Sequence, residues 1–298
     1  MAARSREIVI IGAGPAGIAA AVQLRRQGHN PLVFEMDEPG GLLRNAGWVE
    51  NYPGFPDGIS GEELASLFTR QLKRWDVEVV KQKVTSLSID NGCFTVATND
   101  GCVSARVAVI ASGTKANTLD DLDPTGSARD RILYEVHPLI HKTNKTIAII
   151  GGGDAAFDYA LTLSKHNEVT IFNRTSVARC LPLLKERVQA EGLITYKDNV
   201  SVKYPIRVSN DKLVLDCESD GNSFDFTADY LILAIGRKPH LDFLSEDVIA
   251  RMDELKKSGC LYLIGDVVND RFRQTAIAVG EGVKAAMRID RMIGDSVK

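Results

Sequence analysis

Twice in this chain a β-branched strand runs into a Gly-rich turn, a helix and a second strand. That order commits about thirty residues at each occurrence to a parallel βαβ unit. The first occurrence is EIVIIGAGPAGIAAAVQLRRQGHNPLVFE. Its run Ile8 to Ile11 predicts a buried parallel strand, and Gly12-x-Gly14-x-x-Gly17 follows directly and opens an Ala-rich helix. Gly12 permits the tight turn, Gly14 has no side chain to hold a pyrophosphate away, and Gly17 lets helix and strand pack closely. Backbone N–H groups at the helix start, around Pro15, Ala16 and Gly17, then face phosphate oxygens. The second strand, PLVFE, ends in Glu35, at the spacing of a carboxylate that accepts hydrogen bonds from a ribose.

The second occurrence is TIAIIGGGDAAFDYALTLSKHNEVTIFNRTS. Strand Thr146 to Ile150 leads into Gly151-x-Gly153-x-x-Ala156, a helix opens at Asp154 and Ala155, and strand Val169 to Phe172 closes the unit. This strand ends in Asn173-Arg174, with Arg179 a little further on, where the first unit has an acid. A carboxylate there repels a 2′-phosphate and guanidinium groups pair with it, so the loop is expected to prefer NADPH, with NADH the alternative. Arg174 and Arg179 also read as solvated surface charges. Two loops imply two nucleotides, and a flavin with a nicotinamide cofactor is the usual pair, because one passes a hydride to the other.

At 298 residues the chain has room for two domains. Its net charge of -3 offers no basic excess to attract nucleic acid or acidic lipid. The apolar run near the N-terminus is broken by Gly12, Gly14, Pro15 and Gly17, which argues against a signal sequence or membrane anchor, and the expectation is a cytoplasmic protein. Five cysteines, Cys93, Cys102, Cys180, Cys217 and Cys260, are scattered, with no pair at zinc or redox spacing, so no metal is expected. Residues 83–107 alternate around TND and NG and predict an antiparallel meander.

Four further blocks resemble the low-molecular-weight thioredoxin reductase family of flavoproteins, and the likeness runs through nearly the whole chain. GGLLRNAGWVENYPGFPDGISGEEL is similar to the family's flavin-contacting segment, which implies cofactor roles for Gly41, Leu42 and Asn51. VIASGT resembles the crossover into the nicotinamide domain, with Ser112 in place of Thr, and adds Ala111 and Gly113; LILAIGRKP resembles the return crossover and adds Ile235 and Gly236. LYLIGDVVNDRFRQTAIAVGEGVKAA resembles the last flavin motif, in which Gly265 and Asp266 meet the ribityl chain and Arg273, Gln274 and Thr275 approach the isoalloxazine ring. The resemblance implies an α/β fold of two Rossmann-like, three-layer ββα nucleotide-binding domains. An FAD domain would comprise 1–115 and 242–298, with an NAD(P)H domain at 116–241 between them. FAD, NADPH and a homodimer are implied with it.

One departure changes the expected chemistry. The family carries Cys-x-x-Cys on the way into its second Gly-rich loop, and counting back from Gly151 an ungapped register puts Tyr134-Glu135-Val136-His137 there, followed by Pro138 in place of an acid. His137 precedes a proline, which predicts an extended backbone. A thiolate exchanges electron pairs because sulfur makes and breaks covalent bonds readily, and phenol and imidazole do not. Electrons are therefore expected to leave the flavin directly for an external acceptor: a ferredoxin, a flavodoxin, a quinone, oxygen or a small disulfide. Relatives without these cysteines that act as ferredoxin-NADP reductases set the preferred direction. The reverse flow, from ferredoxin onto FAD, would use a basic face built from Arg44, Arg70, Lys73, Arg74, Lys81 and Lys83. A flavin-binding redox sensor without turnover is the reading from another class.

His137 is a candidate proton carrier at the flavin or a residue that fills the cysteine's space. Asp158 falls where the family keeps an acid near the nicotinamide, and equally suits the first turns of a helix as a partner for its dipole. His141 is expected at the surface.

Overall fold

The computed structural model describes residues 4–119 and 126–295; residues 1–3, 120–125 and 296–298 of the expected domain ranges lie outside it. The chain divides into two compact units. Unit 1 runs through Arg44, resumes over Val49–Lys115 and takes everything from Lys238; unit 2 is Asn45–Trp48 with Ala116–Arg237.

Unit 1 begins with β1 (Arg4–Ile11), α1 (Pro15–Arg26), β2 (Leu32–Glu35), α2 (Gly61–Arg74), β3 (Glu78–Lys81), β4 (Val84–Asp90), β5 (Cys93–Thr98) and β6 (Gly101–Ile110). The chain passes through β7 (Thr114–Ala116) into β8 (Ile132–Leu133), β9 (Thr146–Ile150), α3 (Asp154–Leu163), β10 (Glu168–Phe172), α4 (Pro182–Ala190) and β11 (Ile194–Lys197). Then follow β12 (Ser201–Ser209), β13 (Lys212–Ser219), β14 (Asn222–Ala228) and β15 (Tyr230–Leu233). The chain returns through β16 (Arg237–Pro239) to α5 (Glu246–Ala250), α6 (Met252–Lys257), β17 (Leu261–Leu263) and α7 (Thr275–Asp295).

Among the described residues, unit 1 is built on a seven-stranded sheet in the order β3-β2-β1-β6-β5-β4, with β17 on β6. Strand β6 pairs with β1 along one edge and is long enough to serve two partners along the other. Its first half pairs antiparallel with β5, completing the meander predicted from residues 83–107, and its last residues, Ala108 to Ile110, pair parallel with β17. Alternation along β1 explains the layers. Val9 and Ile11 enter a core with Leu87, Phe94 and Val96 of the meander and with Val248 and Leu255 of the short helices, while Ile8 and Ile10, on the opposite face, are also fully buried.

On its helical side, α1 crosses α7 so closely that a Cβ on Gly282 would lie 2.3 Å from the carbonyl oxygen of Ala16. Helix α2 is closed locally by a capping box, in which Ser60 and Glu63 satisfy each other's backbone N–H groups, and Lys73 and Arg74 sit in its last turn.

Unit 2 repeats the scheme with a parallel sheet, among the described residues five-stranded, in the order β11-β10-β9-β15-β8. Ile147 and Ile149 of β9 face Ala156, Phe157, Ala160 and Leu163 of α3, and Ala148 between them faces Leu213, Leu215 and Cys217 of the antiparallel sheet β12-β13-β14. One period-2 strand therefore builds both cores of a three-layer ββα stack.

The α1–α7 crossing makes a direct test. Gly282→Ala should lower the unfolding free energy by about 1–3 kcal/mol, because the new methyl meets backbone that cannot step aside. Gly280→Ala on the same helix, where a Cβ would meet nothing within 4 Å, should instead stabilise by about 0.5–1 kcal/mol in the same urea titration.

Candidate functional site

In unit 1 the predicted residues converge on the C-terminal ends of β1, β6 and β17. Gly12 has φ +104° and a Cβ on it would stand 2.4 Å from the oxygen of Ala111; a Cβ on Gly17 would stand 2.0 Å from the oxygen of Gly12. Over Gly14, by contrast, a Cβ would meet nothing within 4 Å. The turn is thus closed where chain meets chain and open where a phosphate would approach. No side chain caps α1, so its first N–H groups are left for an anion.

Around this loop, Gly41 comes so near that a Cβ on it would lie 3.1 Å from the Cα of Gly14 and has φ +56°, and it opens a single 3-10 turn, Gly41–Asn45, that includes Leu42. Glu35 is buried; its Oε2 accepts from the Ala13 N–H at 2.7 Å and its Oε1 from that of Asp37 at 3.0 Å. It therefore holds the loop, and a carboxylate with further lone pairs is still suited to a ribose hydroxyl. Asn51 donates through Nδ2 to Oε1 of Gln274 at 2.7 Å, which unites two predicted flavin contacts 223 positions apart. Arg273 is half-buried and Thr275 opens α7. Gly113 (φ +63°) accepts the N–H of His240 at 3.0 Å. These glycine approaches and the open space above Gly14 fit a dinucleotide with a pyrophosphate.

Sequence reasoning passed over two residues here. The N–H of Gly265 donates to Oε2 of Glu281 at 2.6 Å, and Nδ2 of Asn269 bonds the oxygen of Gly265 and both Glu281 oxygens. Together they shape the turn that carries Asp266. Glu281 lies two turns into α7, inside the block that resembles the last flavin motif, but was not singled out there.

Unit 2 presents the second loop at the C-terminal edge of its sheet. A Cβ on Gly151 would lie 2.5 Å from the oxygen of Ala234, one on Gly152 would strike the side chain of Asn173, and one on Gly153 would meet nothing within 4 Å. Asn173 is buried and organises the turn beyond β10: its Nδ2 donates to the oxygens of Val177 and Tyr196, and its Oδ1 accepts from Thr175. That turn brings the Arg179 N–H to within 2.6 Å of the Gly152 oxygen, so Arg179 sits beside the loop, and both Arg174 and Arg179 are exposed to solvent. Oδ1 of Asp154 accepts the Leu181 N–H at 2.7 Å, Ala155 is exposed at the start of α3, and Ile235 and Gly236 follow β15 on the same edge.

The tetrapeptide after β8 differs from its expectation. His137 opens a 3-10 turn, His137–Leu139, where an extended backbone was predicted. Two contacts override the local preference imposed by Pro138: Val136 and Leu139 are both buried in the α3 core, and the His137 N–H donates to Oδ1 of Asn45 at 3.1 Å. His137 and His141 are exposed, and Tyr134 packs partly against the other core, where burial raises its phenol.

Between Tyr134 and His137 lies the residue that sequence reasoning missed. Glu135 accepts from Nδ2 of Asn45 at 2.9 Å and from the hydroxyl of Tyr159 at 3.2 Å, and it forms an ion pair with Arg237. Burial, then the charge of Glu135, push the Tyr159 hydroxyl well above its ordinary range, so it stays a donor. Its only advance signal was an acid inside the tetrapeptide.

Asp158 accepts the Gly47 N–H through Oδ2 at 2.9 Å and also bonds the backbone of Trp48. Desolvation is the main reason its carboxyl titrates above the usual range, with the charge of Asp154 adding to it. The fold therefore favours protonated Asp158. Stability from this group is fully present below about pH 4 and falls as pH rises through the raised value. Asp158→Asn should flatten that part of the pH dependence of the urea midpoint while keeping an acceptor for Gly47; an unchanged profile would contradict the assignment.

Of the six cations proposed as a docking face, two are engaged. Arg44 pairs with Glu62 at 2.5 Å and Lys81 with Glu38 at 2.6 Å, while Arg70, Lys73 and Arg74 share one side of α2 at i, i+3, i+4. All five cysteines are free thiols, and among the described residues no His, Cys, Asp and Glu cluster could hold a metal. Among those residues no helix is long and apolar enough to cross a membrane.

Comparison with known proteins bears on these sites. Residues 6–282 match the family described as pyridine nucleotide-disulphide oxidoreductase. The chain is 31% identical to NADPH-dependent thioredoxin reductase 3 of Arabidopsis thaliana, over 96% of this chain but only 58% of that protein. It is 28% identical to thioredoxin reductase of Chlamydia pneumoniae, over 96% of this chain and 98% of that one. Among solved structures, Lactococcus lactis thioredoxin reductase aligns with a TM-score of 0.85 at 25% identity, over 97% of this chain and 99% of that one. The T. acidophilum thioredoxin reductase gives 0.84 at 26%, over 99% of this chain and 100% of that one.

Proposed function

This chain belongs to the pyridine nucleotide-disulphide oxidoreductase family, and from that premise we propose that it moves electrons from NADPH by way of FAD to an external acceptor, without an internal disulfide relay. Membership makes it an FAD-dependent NAD(P)H oxidoreductase of thioredoxin reductase-like type, in a family whose cofactors are FAD and NADPH. FAD supplies the two-electron chemistry when bound. The residues of the chain bind, orient and exclude water.

The observation that carries the reading is Tyr134-Glu135-Val136-His137 where the family has its cysteine pair, in a sequence with no two cysteines at that spacing. In this reading unit 1 holds FAD on Gly12, Gly14 and Gly17, with Glu35 on a ribose and Asp266 on the ribityl chain. Unit 2 holds NADPH on Gly151 and Gly153, with Arg174 and Arg179 on the 2′-phosphate. His137 is the candidate to carry a proton to the acceptor, and the likeness adds a homodimer.

The family's chemistry favours a small disulfide as acceptor, met without an enzyme disulfide. A ferredoxin is the second reading, weakened because Arg44 and Lys81 already pair with acids of the same unit. A quinone, a flavodoxin and oxygen complete the acceptors to screen.

An anaerobic titration with NADPH and NADH, followed by flavin absorbance, tests the donor side. NADPH should bleach the flavin at lower concentration than NADH, and Arg174→Ala with Arg179→Ala should raise the NADPH requirement about 10- to 100-fold while sparing NADH. Equal response to the two donors, unmoved by the substitutions, would remove the 2′-phosphate assignment. Bleaching by a chemical reductant but by neither nucleotide would favour a redox sensor.

A further inference from the structure

Four residues of unit 2 come from a distant part of the sequence. Asn45–Trp48 is a strap seated on the fold by two acids: Glu135 accepts from Asn45 at 2.9 Å, Asn45 accepts from the His137 N–H at 3.1 Å, and Asp158 accepts from Gly47 at 2.9 Å. The fit is tight as well as polar. Asn45 is buried, and a Cβ on Gly47 would lie 2.1 Å from Oγ1 of Thr162, one turn beyond Asp158 on α3.

The place of the strap gives it a consequence. In an open parallel sheet a dinucleotide lies across the crevice at the C-terminal strand ends, where the strand order reverses. Here the order reverses between β9 and β15, and the pyrophosphate loop follows β9. Arg174 and Arg179 lie on the β10 side of that loop, so the adenosine half belongs there and the nicotinamide half must extend over the opposite lip. That lip consists of the segments after β15 and β8, which contribute Arg237 and Glu135. The strap is bonded to this lip and to the second turn of α3.

We propose that the strap Asn45–Trp48 competes with the nicotinamide half of NADP(H) for this lip, so that Asn45 and Gly47 set cofactor affinity while leaving the adenosine half unaffected. The inference rests on the NADPH reading of unit 2. Apparent affinity then falls with the fraction of molecules whose strap is seated, and weakening the strap strengthens binding. Loss of a binding contact has the opposite sign.

Two probes separate the halves: NADP⁺, which spans the crevice, and 2′,5′-ADP, which ends at the pyrophosphate side. Asn45→Ala removes both hydrogen bonds of its side chain and Gly47→Ala forces the strap from Thr162. Each should tighten NADP⁺ about 5- to 10-fold in calorimetric titration of the holoprotein, with 2′,5′-ADP unchanged. Hydrogen exchange at the Gly47, Trp48 and His137 amides should accelerate when the wild-type protein is saturated with NADP⁺ and stay unaltered with 2′,5′-ADP. NADP⁺ affinity that is unchanged or weaker in both variants, or strap amides that keep their protection under NADP⁺, would overturn the competition. Failure of both probes to bind the wild-type protein would overturn the NADPH reading itself, and the competition with it.

Discussion

Both nucleotide loops depend on the absence of a single atom. Where the chain turns from β1 into α1, a Cβ on Gly12 would lie within 2.4 Å of the Ala111 oxygen, and where it turns from β9 into α3, one on Gly151 would lie within 2.5 Å of the Ala234 oxygen. Those contacts tie each loop to the neighbouring strand of its own sheet, β6 or β15. Because the backbone fills that side, the open side of Gly14 and of Gly153 faces outward, and the uncapped helix starts lie beside it. Room for an anion follows from packing before any charged side chain is considered.

Specificity is added around these loops by side chains that mostly bond to backbone. Glu35 holds Ala13, Glu281 and Asn269 hold Gly265, and Asn173 shapes the turn that carries Arg174 and Arg179. A neutral amide at Asn173 satisfies the same kind of loop that Glu35 satisfies in the other unit, without a charge opposed to a phosphate.

Much of this was legible because it is local. The β-branched runs and the glycine spacing are short-range patterns, and each appears in the structure as the strand or turn it implies. What was not legible depends on separation in sequence. Nothing near Asn45 announces that it bonds to residues 90 and 92 positions away, and nothing near Glu281 announces its hold on Gly265, 16 positions earlier. The turn at His137 failed for the same reason: Pro138 speaks for an extended backbone, and the burial of Val136 and Leu139 outweighs it. Glu135 was overlooked because Tyr134 and His137, read as standing in for a cysteine pair, drew the chemistry to themselves.

The tetrapeptide Tyr134-Glu135-Val136-His137, which the proposed function sets in the place of a cysteine pair, is the point on which the functional account turns. With Tyr134 packed against a core and Glu135 committed to Asn45, Tyr159 and Arg237, the segment is built as a structural junction and holds no group that stores electrons. On the proposed function, the flavin is then the sole two-electron centre of the chain. Anaerobic reduction of the FAD-bound protein with dithionite, counted against flavin absorbance and free thiols, measures this directly. The account predicts complete reduction with one two-electron equivalent per FAD and no gain in thiols. Uptake of a second equivalent with the appearance of two new thiols would reveal a redox disulfide and contradict it.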